Sequence, residues 1–435
     1  MKYPLSGEIV MRDTFTSLFS FFLSCFILLL GTGLINVLLP VRMGLEGNST
    51  QVIGFVLSLY FVGSLIGAIY STALIKRSGH IRMFSGCVAL GAVSILICSL
   101  YADAFLWGAM RIVMGFCIAC TFTAMESWLS DSSSKKNRGQ VLAIHNAVML
   151  AGLFAGQFFM NVALPQDNVL FVIAGIILCT AVIPVALSQH SGPIVEDVSP
   201  MPLVALYKRS PIGVISCLIS GMIYSAIFNL LPIFAKEYGI IGFELSLYMG
   251  AAIFGAFILQ FPVGYLSDKF DRRSVLLVLL VISSIADFII VGIVELKVMS
   301  VIFLVTMITS GIIACTYPMS VTLAFDRLRQ KEMVSAMASM VLTFAIGGII
   351  GPYSASLVME MFGTVSLFYF LAIAQLLLGC FVIHNIVVTK RSPNIKQGDL
   401  LMQANASAPV NVLEPSTSCP EFRLNNTREK NATRQ

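Results

Sequence analysis

The stretch that decides the fold is Arg111-Ile-Val-Met-Gly-Phe-Cys-Ile-Ala-Cys-Thr121, which continues as an apolar run to Asp131. A run of this length and composition is typical of a helix that crosses a lipid bilayer. Its segment Ile118–Thr121 recurs as Ile313–Thr316, 195 residues further along the chain, and Asp131 recurs as Asp326 at the same spacing. The repeat indicates a duplicated scaffold of two halves.

The two copies differ in charge. Arg111 of the first copy corresponds to Thr306 of the second, and Glu126 corresponds to Val321. Ionisable side chains are costly inside a membrane, and where they occur they commonly serve function. A duplicated scaffold with charges in one copy only indicates a transporter whose halves have divided the work.

The composition places the whole chain in the membrane. Of 435 residues, 57% are hydrophobic and 11% are charged, less than half the charged fraction of a soluble domain. A spanning helix needs about 20 mostly apolar residues. The sequence predicts twelve such helices, at 15–41, 51–75, 82–101, 105–130, 139–162, 168–188, 211–235, 244–267, 274–294, 298–325, 333–359 and 364–388. Near the ends of the first and seventh runs, Pro40 and Pro232 are expected to kink the helix and free a backbone carbonyl. Asn36 and Asn229, just before these prolines, are expected either to reach a cavity or to form an interhelical hydrogen bond.

These runs predict an all-α integral membrane protein built from two six-helix bundles. The expected parts are a cytoplasmic leader at 1–14, bundles at 15–188 and 211–388, a polar linker at 189–210 and a disordered tail at 389–435. The termini and alternate connections together carry 23 of the 27 Lys and Arg residues. By the positive-inside rule, both termini are expected in the cytoplasm. The basic residues are spread over several short loops, which argues against nucleic-acid binding.

A loop motif identifies a resemblance to a known family. The sequence Gly264-Tyr-Leu-Ser-Asp268-Lys-Phe-Asp-Arg272-Arg273 is similar to the signature between the second and third helices of the major facilitator superfamily. The first half carries a weaker copy, in which Lys76 replaces the acid. The run Ile75–Gly79 and the loop Lys136–Gly139 resemble the YcaD-type branch of bacterial permeases.

The resemblance implies a transporter of the inner or plasma membrane that moves a small solute by alternating access. It also implies a central cavity lined by helices one, two, four, five, seven, eight, ten and eleven. Arg111 is the leading candidate for binding the solute, with an anionic group as its natural partner. The other predicted cavity residues are polar or aromatic side chains on those helices: Asn36, Tyr60, Gln157, Tyr224, Asn229, Gln260 and Tyr317. Asp287 lies on the ninth helix, outside this set, and is expected to bond a neighbouring helix.

A second group of residues is expected to form a latch at the cytoplasmic side: Arg77, Arg82, Asp131, Asp268, Arg272 and Asp326. Charge-assisted hydrogen bonds between such groups hold loops and helix ends together. Because Lys76 cannot accept hydrogen bonds, Glu126 and Asp131 are the expected partners of Arg77 and Arg82.

Glu126 and His145 are the candidates for proton coupling or gating. An acid that alternates between wet and closed surroundings can bind a proton in one state and release it in the other. The alternative for Glu126 is a fixed salt bridge to Arg77 or Arg82. A lone histidine near a helix end, as His145 is, is more commonly structural, although its charge can change near neutral pH.

The sequence shows no enzyme signature, no cofactor motif and no metal-ligand spacing. The expected partners are the lipid bilayer, a small solute and protons. Two functional classes remain: a proton-coupled transporter, and a non-transporting receptor or scaffold of the same fold. Charges placed along one path favour the transporter.

Overall fold

The computed structural model of the protein describes residues 6–131, 138–187, 200–296 and 298–388. Side chains are described from Leu18 onward, except at 130–131, 138–139 and 330–331. The tail predicted at 389–435 and half of the predicted linker, residues 189–199, lie outside the described residues. The first helix begins at Ser6, inside the predicted leader.

Twelve helices are long and apolar enough to cross a membrane, and the described ranges contain no strand. Labelled in chain order, they are α1 Ser6–Leu45, α2 Thr50–Ser78, α3 His80–Leu100, α4 Ala104–Asp131, α5 Arg138–Phe158, α6 Val169–Ala186, α7 Pro211–Glu237, α8 Phe243–Lys269, α9 Arg272–Ile293, α10 Met299–Phe325, α11 Gln330–Phe362 and α12 Ser366–Val388. Every predicted spanning run therefore corresponds to one helix. A short helix, Leu203–Arg209, precedes α7.

The first and seventh helices both continue past their prolines. α1 continues past Pro40 to Leu45, and α7 continues past Pro232 to Glu237. A proline inside a helix removes the hydrogen bond to the carbonyl four residues earlier, which helices in a protein interior tolerate when a cavity or neighbour meets the freed group. The freed carbonyls here belong to Asn36 and Phe228, and both residues line the cavity described below.

Close helix packing is repeated in the two halves. In the first half, Gly63 of α2 and Gly115 of α4 lie where an added Cβ would overlap the backbone of the facing helix. In the second half, Gly255 of α8 and Gly311 of α10 stand in the same relation. Only small residues allow backbones to approach this closely in a membrane. The duplicated glycines therefore fix equivalent helix pairs, α2 with α4 and α8 with α10.

The two halves meet chiefly along α2 with α11, α5 with α8, and α1 with α7, with a smaller contact between α2 and α7. The α2–α3 and α8–α9 connections lie at one face of the protein. Arg77, Arg82 and Arg273 lie in the helix ends beside them, and this face is called here the basic face. The α1–α2 and α7–α8 connections lie at the opposite face. This arrangement leaves a space between the bundles.

Asp287 bonds a neighbouring helix, as the sequence predicted. The side chain is fully buried, and Gln375 Nε2 on α12 donates a hydrogen bond to Asp287 Oδ2 at 3.0 Å. The carboxyl therefore links α9 to α12, away from the space between the halves. A polar group in a membrane interior is stabilised by a bond of this kind.

Candidate functional site

The space between the bundles is a cavity of about 130 Å³. Its lining comes from α1, α2, α4 and α5 of the first half and from α7, α8, α10 and α11 of the second. These are the eight helices that the sequence led us to expect. None of the lining residues belongs to α3, α6, α9 or α12. The cavity is thus shared equally between the two halves.

The structure places seven of the eight predicted cavity residues in the lining: Asn36, Tyr60, Arg111, Gln157, Tyr224, Asn229 and Gln260. Tyr317 is the exception. Its ring packs behind that of Phe344, with 4.8 Å between ring centroids, and Ala314 is the residue of α10 that faces the cavity. Tyr317 lies three residues further along the helix, about 4.5 Å nearer the basic face and about 60° around the helix axis from Ala314, and there its ring packs against α11.

Arg111 is buried, with only 4% of its surface exposed. Its guanidinium carbon lies 4.7 Å from the centroid of the Tyr60 ring, and Nη2 donates a long hydrogen bond of 3.5 Å to Asn229 Oδ1 on α7. Its Nε has no hydrogen-bond partner. No carboxylate among the described side chains forms an ion pair with it. The close approach of Gly115 to the Tyr60 carbonyl brings α4 against α2 and so sets the guanidinium over the ring.

The carboxamides of the cavity are partly committed to the protein. Gln157 Nε2 donates to the carbonyls of Gly33 and Leu153, at 3.1 and 3.0 Å. Gln260 Oε1 accepts from Asn146 Nδ2 at 2.7 Å. Because Asn146 belongs to α5 and Gln260 to α8, this bond joins the two halves. No sequence pattern indicates that Asn146 is bonded to Gln260, since the two residues lie 114 positions apart and the pair is not repeated.

Further contacts join the halves near the opposite face. Asn161 Nδ2 donates to Ser246 Oγ at 2.8 Å, and Ser246 Oγ donates to the Gln157 carbonyl at 2.8 Å. On the other side of the cavity, Gly54 of α2 abuts Pro352 and Ser356 of α11. These contacts close the cavity toward the opposite face.

Glu126 and His145 lie outside the cavity lining, and they share a neighbouring residue. Both are buried, and Glu126 Oε2 and His145 Nε2 have no hydrogen-bond partner. Cys25 of α1 is their common neighbour: its sulfur lies 3.8 Å from His145 Nδ1 and within electrostatic range of Glu126. Glu126 is also within electrostatic range of Tyr317, in the other half. The two candidate residues therefore share one buried region, a turn beyond the cavity residue Phe122.

The expected partners of the first-half arginines are not found. Arg77 and Arg82 are exposed, and neither forms an ion pair with Glu126. The reason is depth: the carboxyl of Glu126 is buried among helices, whereas both guanidinium groups extend from the basic face. The side chain of Asp131 lies outside the described residues.

The second-half residues do come together. Arg272 Nη1 lies 2.5 Å from Asp326 Oδ1, and Arg272 Nη2 lies 3.5 Å from Asp268 Oδ1. Burial raises the pKa of Asp326, and the Arg272 guanidinium opposes that rise. In the first half, His80 takes the place of Arg272, because it follows Lys76 at the same spacing at which Arg272 follows Asp268. His80 Nε2 lies 3.1 Å from Ser127 Oγ. All three ionic residues belong to the second half, so their bonds hold one bundle rather than joining two.

A metal centre would need a cluster of ligands. Within the described part of the chain, no group of three or more His, Cys, Asp or Glu residues is arranged to hold an ion. The nine described cysteines are all free thiols.

Comparisons with known proteins agree with this architecture. The model of the Major Facilitator Superfamily matches residues 21–240 and, in a second match, residues 213–412. The MFS-type transporter YcaD of Escherichia fergusonii is 26% identical over 361 residues, which is 80% of this chain and 93% of the relative. YcaD of Shigella flexneri serotype 5b is 27% identical, over 80% of this chain and 90% of the relative.

Solved structures show the same fold at low sequence identity. The nucleoside transporter NupG superposes with a TM-score of 0.72 at 12% identity, covering 85% of this chain and 99% of that one. A bacterial homologue of the human lysosomal transporter Spinster, in an inward-facing and occupied conformation, gives a TM-score of 0.67 at 14% identity and covers 91% and 100% of the two chains.

Proposed function

The chain belongs to the major facilitator superfamily and is a multi-pass membrane transporter. We propose that it carries a small anionic solute with proton coupling. We further propose that it lies in a bacterial inner membrane with the basic face toward the cytoplasm, where the positive-inside rule puts Lys and Arg. The single observation that supports the anionic solute is Arg111, a buried cation in the shared cavity without a carboxylate partner.

The argument from Arg111 is energetic. A guanidinium deep in a membrane protein is costly unless it faces a cavity, a counter-charge or both. Arg111 faces the cavity, contacts a tyrosine ring and one carboxamide, and retains unused hydrogen-bond donors. A carboxylate or phosphate entering the cavity would supply the missing charge and accept those bonds, since the guanidinium fork matches such groups.

Glu126 supports the proton coupling. Its surroundings are buried, and no described side chain forms an ion pair with it, so the salt bridge to Arg77 or Arg82 considered from the sequence is not formed in this conformation. A carboxyl near Tyr317 of the other half changes its neighbours when the halves move apart. A group that alternates between dry and wet surroundings changes its proton affinity, which is the requirement for coupling. His145, which shares Cys25 as a neighbour, is the second member of this proposed path.

The test is flux in proteoliposomes. Purified protein is reconstituted with a pH-sensitive dye inside, and a panel of monocarboxylates, dicarboxylates and phosphate esters is added outside. The parent should move at least one anion together with, or in exchange for, protons. Arg111→Gln should abolish this flux, and Arg111→Lys should restore only part of it, because lysine lacks the planar fork. Arg42→Gln, which alters a buried arginine outside the cavity lining, is the control.

Glu126→Gln separates coupling from transport. The variant should still exchange labelled solute across the membrane but should only equilibrate it under a pH gradient. If it concentrates solute as the parent does, Glu126 is not the coupling acid. Absence of flux for every anion, from correctly folded parent protein, would instead favour the receptor or scaffold class.

A further inference from the structure

The cavity residues nearest Arg111 indicate the shape and polarity of the solute as well as its charge. Six aromatic rings line the cavity, and they come from both halves: Tyr60, Phe61, Phe122, Tyr224, Phe228 and Phe344. Aromatic rings bind flat, apolar groups through stacked and edge-on contacts. Half of these rings lie on each side of the boundary between the halves.

The rings are arranged as connected surfaces rather than scattered. In the second half, the Tyr224 ring lies 4.6 Å from that of Phe228 and 5.7 Å from that of Phe344, measured between centroids. In the first half, Tyr60 and Phe61 meet edge to face at 5.3 Å. Tyr60 also carries the guanidinium of Arg111 over its face. The guanidinium of Arg111 therefore lies against an aromatic surface.

The polar groups of the cavity exclude other solutes. Arg111 is the single charged residue among the described residues that line it, which leaves a second negative charge on a solute without a partner. Gln157 and Gln260 already use part of their hydrogen-bonding capacity within the protein. A sugar carries many hydroxyl groups that each need a partner, and buried unmatched polar groups are costly, so a lining with six aromatic rings suits a flat apolar group better.

We infer that the cavity selects an aromatic monocarboxylate, with the carboxylate on Arg111 and the ring between Tyr60 and Tyr224. The inference rests on the proposed function, because it takes the cavity as the solute site. It adds that flatness and aromatic character, and not charge alone, determine which anion binds. Residues that contact the ring are then specificity determinants for the solute.

The test compares matched pairs of acids on the purified full-length protein. Benzoate is paired with cyclohexanecarboxylate, and 2-naphthoate with decahydro-2-naphthoate, so that charge and size are kept while aromaticity is removed. Dissociation constants are measured by isothermal titration calorimetry. At least one aromatic acid should bind about two- to tenfold more tightly than its saturated partner, the range that aromatic contacts provide.

Single substitutions test which residues cause the preference for the aromatic acid. Tyr224→Leu should remove the preference for the aromatic acid, whereas Tyr60→Phe, which keeps the ring, should retain it. Phe261→Leu is the control, because Phe261 lies on the cavity helix α8 but is exposed on its outer surface. Equal affinity within both pairs, or no binding of either aromatic acid, overturns the inference. The proposed function would survive that result if another anion is transported in the flux assay, and it would fail if none is.

Discussion

Adding a single carbon to Gly54 should change which face of the protein is open. Gly54 lies on α2 of the first half, against α11 of the second, close to the opposite face. A Cβ at this position would lie 2.6 Å from the Pro352 carbonyl oxygen, and closer still to Ser356, whereas ordinary contact begins at 3.4 Å. The two helices must therefore separate by about 0.8 Å or more.

The size of the effect follows from the clash. Overpacking of this kind costs about 1–3 kcal/mol in the conformation that suffers it. A conformation in which the halves part at the opposite face is free of the clash. Gly54→Ala should therefore shift the equilibrium between the two conformations by about 5- to 150-fold toward that state.

The measurement is an electron-spin distance between labels on Leu45 and Ile241, exposed residues at that face in the first and second half. Gly54→Ala should add a population with a longer distance. Gly292→Ala is the matched control, because a Cβ there meets no atom within 4 Å while the change in helix propensity is the same. If the two variants give the same distance distribution, the contact between α2 and α11 does not hold the opposite face closed.

Three further outcomes are expected. Asn146→Leu removes the bond to Gln260 that joins the halves and should change the spin-label distance and transport rate while the protein remains folded; unchanged values for both would show that the bond does not restrain the halves. Gly115→Val places atoms against the Tyr60 carbonyl within one bundle and should lower the midpoint of thermal unfolding or abolish folding, whereas Gly86→Val, at an open position, should leave the midpoint near that of the parent. Asp326→Asn weakens the pairing with Arg272 and should lower the same midpoint by an amount that changes little with salt, since Arg272 is buried and salt screens buried pairs weakly; an unchanged midpoint would show that the pair does not stabilise the bundle.

The helices could be predicted because they rest on a strong constraint, whereas the choice of cavity helices followed from the family resemblance. A bilayer fixes the length of an apolar run, and a duplicated sequence fixes which helices are equivalent. Arg111 could be found because its charge has no counterpart in the second half. Such signals are local, or repeat at one spacing, and both kinds can be read from a single sequence.

Other features depend on information that the sequence does not contain. The polarity of Tyr317 was evident, but whether its ring enters the cavity or packs behind Phe344 depends on how α7 and α11 pack against α10. The bond between Asn146 and Gln260 joins positions with no shared motif. Whether a helix continues past Pro40 or Pro232 depends on a neighbouring cavity, unknown from sequence, that meets the freed carbonyl.

The bond between Asp287 and Gln375 has a consequence for how the protein is made. A carboxyl at the centre of a spanning helix adds about 2.5–3.5 kcal/mol to the free energy of inserting that helix. The partner of Asp287 is synthesised 88 residues later, on the last spanning helix. During translation, α9 therefore enters the membrane before Gln375, the hydrogen-bond partner of Asp287, has been synthesised. Until α12 follows, this segment remains near the insertion machinery or bonds a temporary partner, so the final helix completes the biogenesis of the second half.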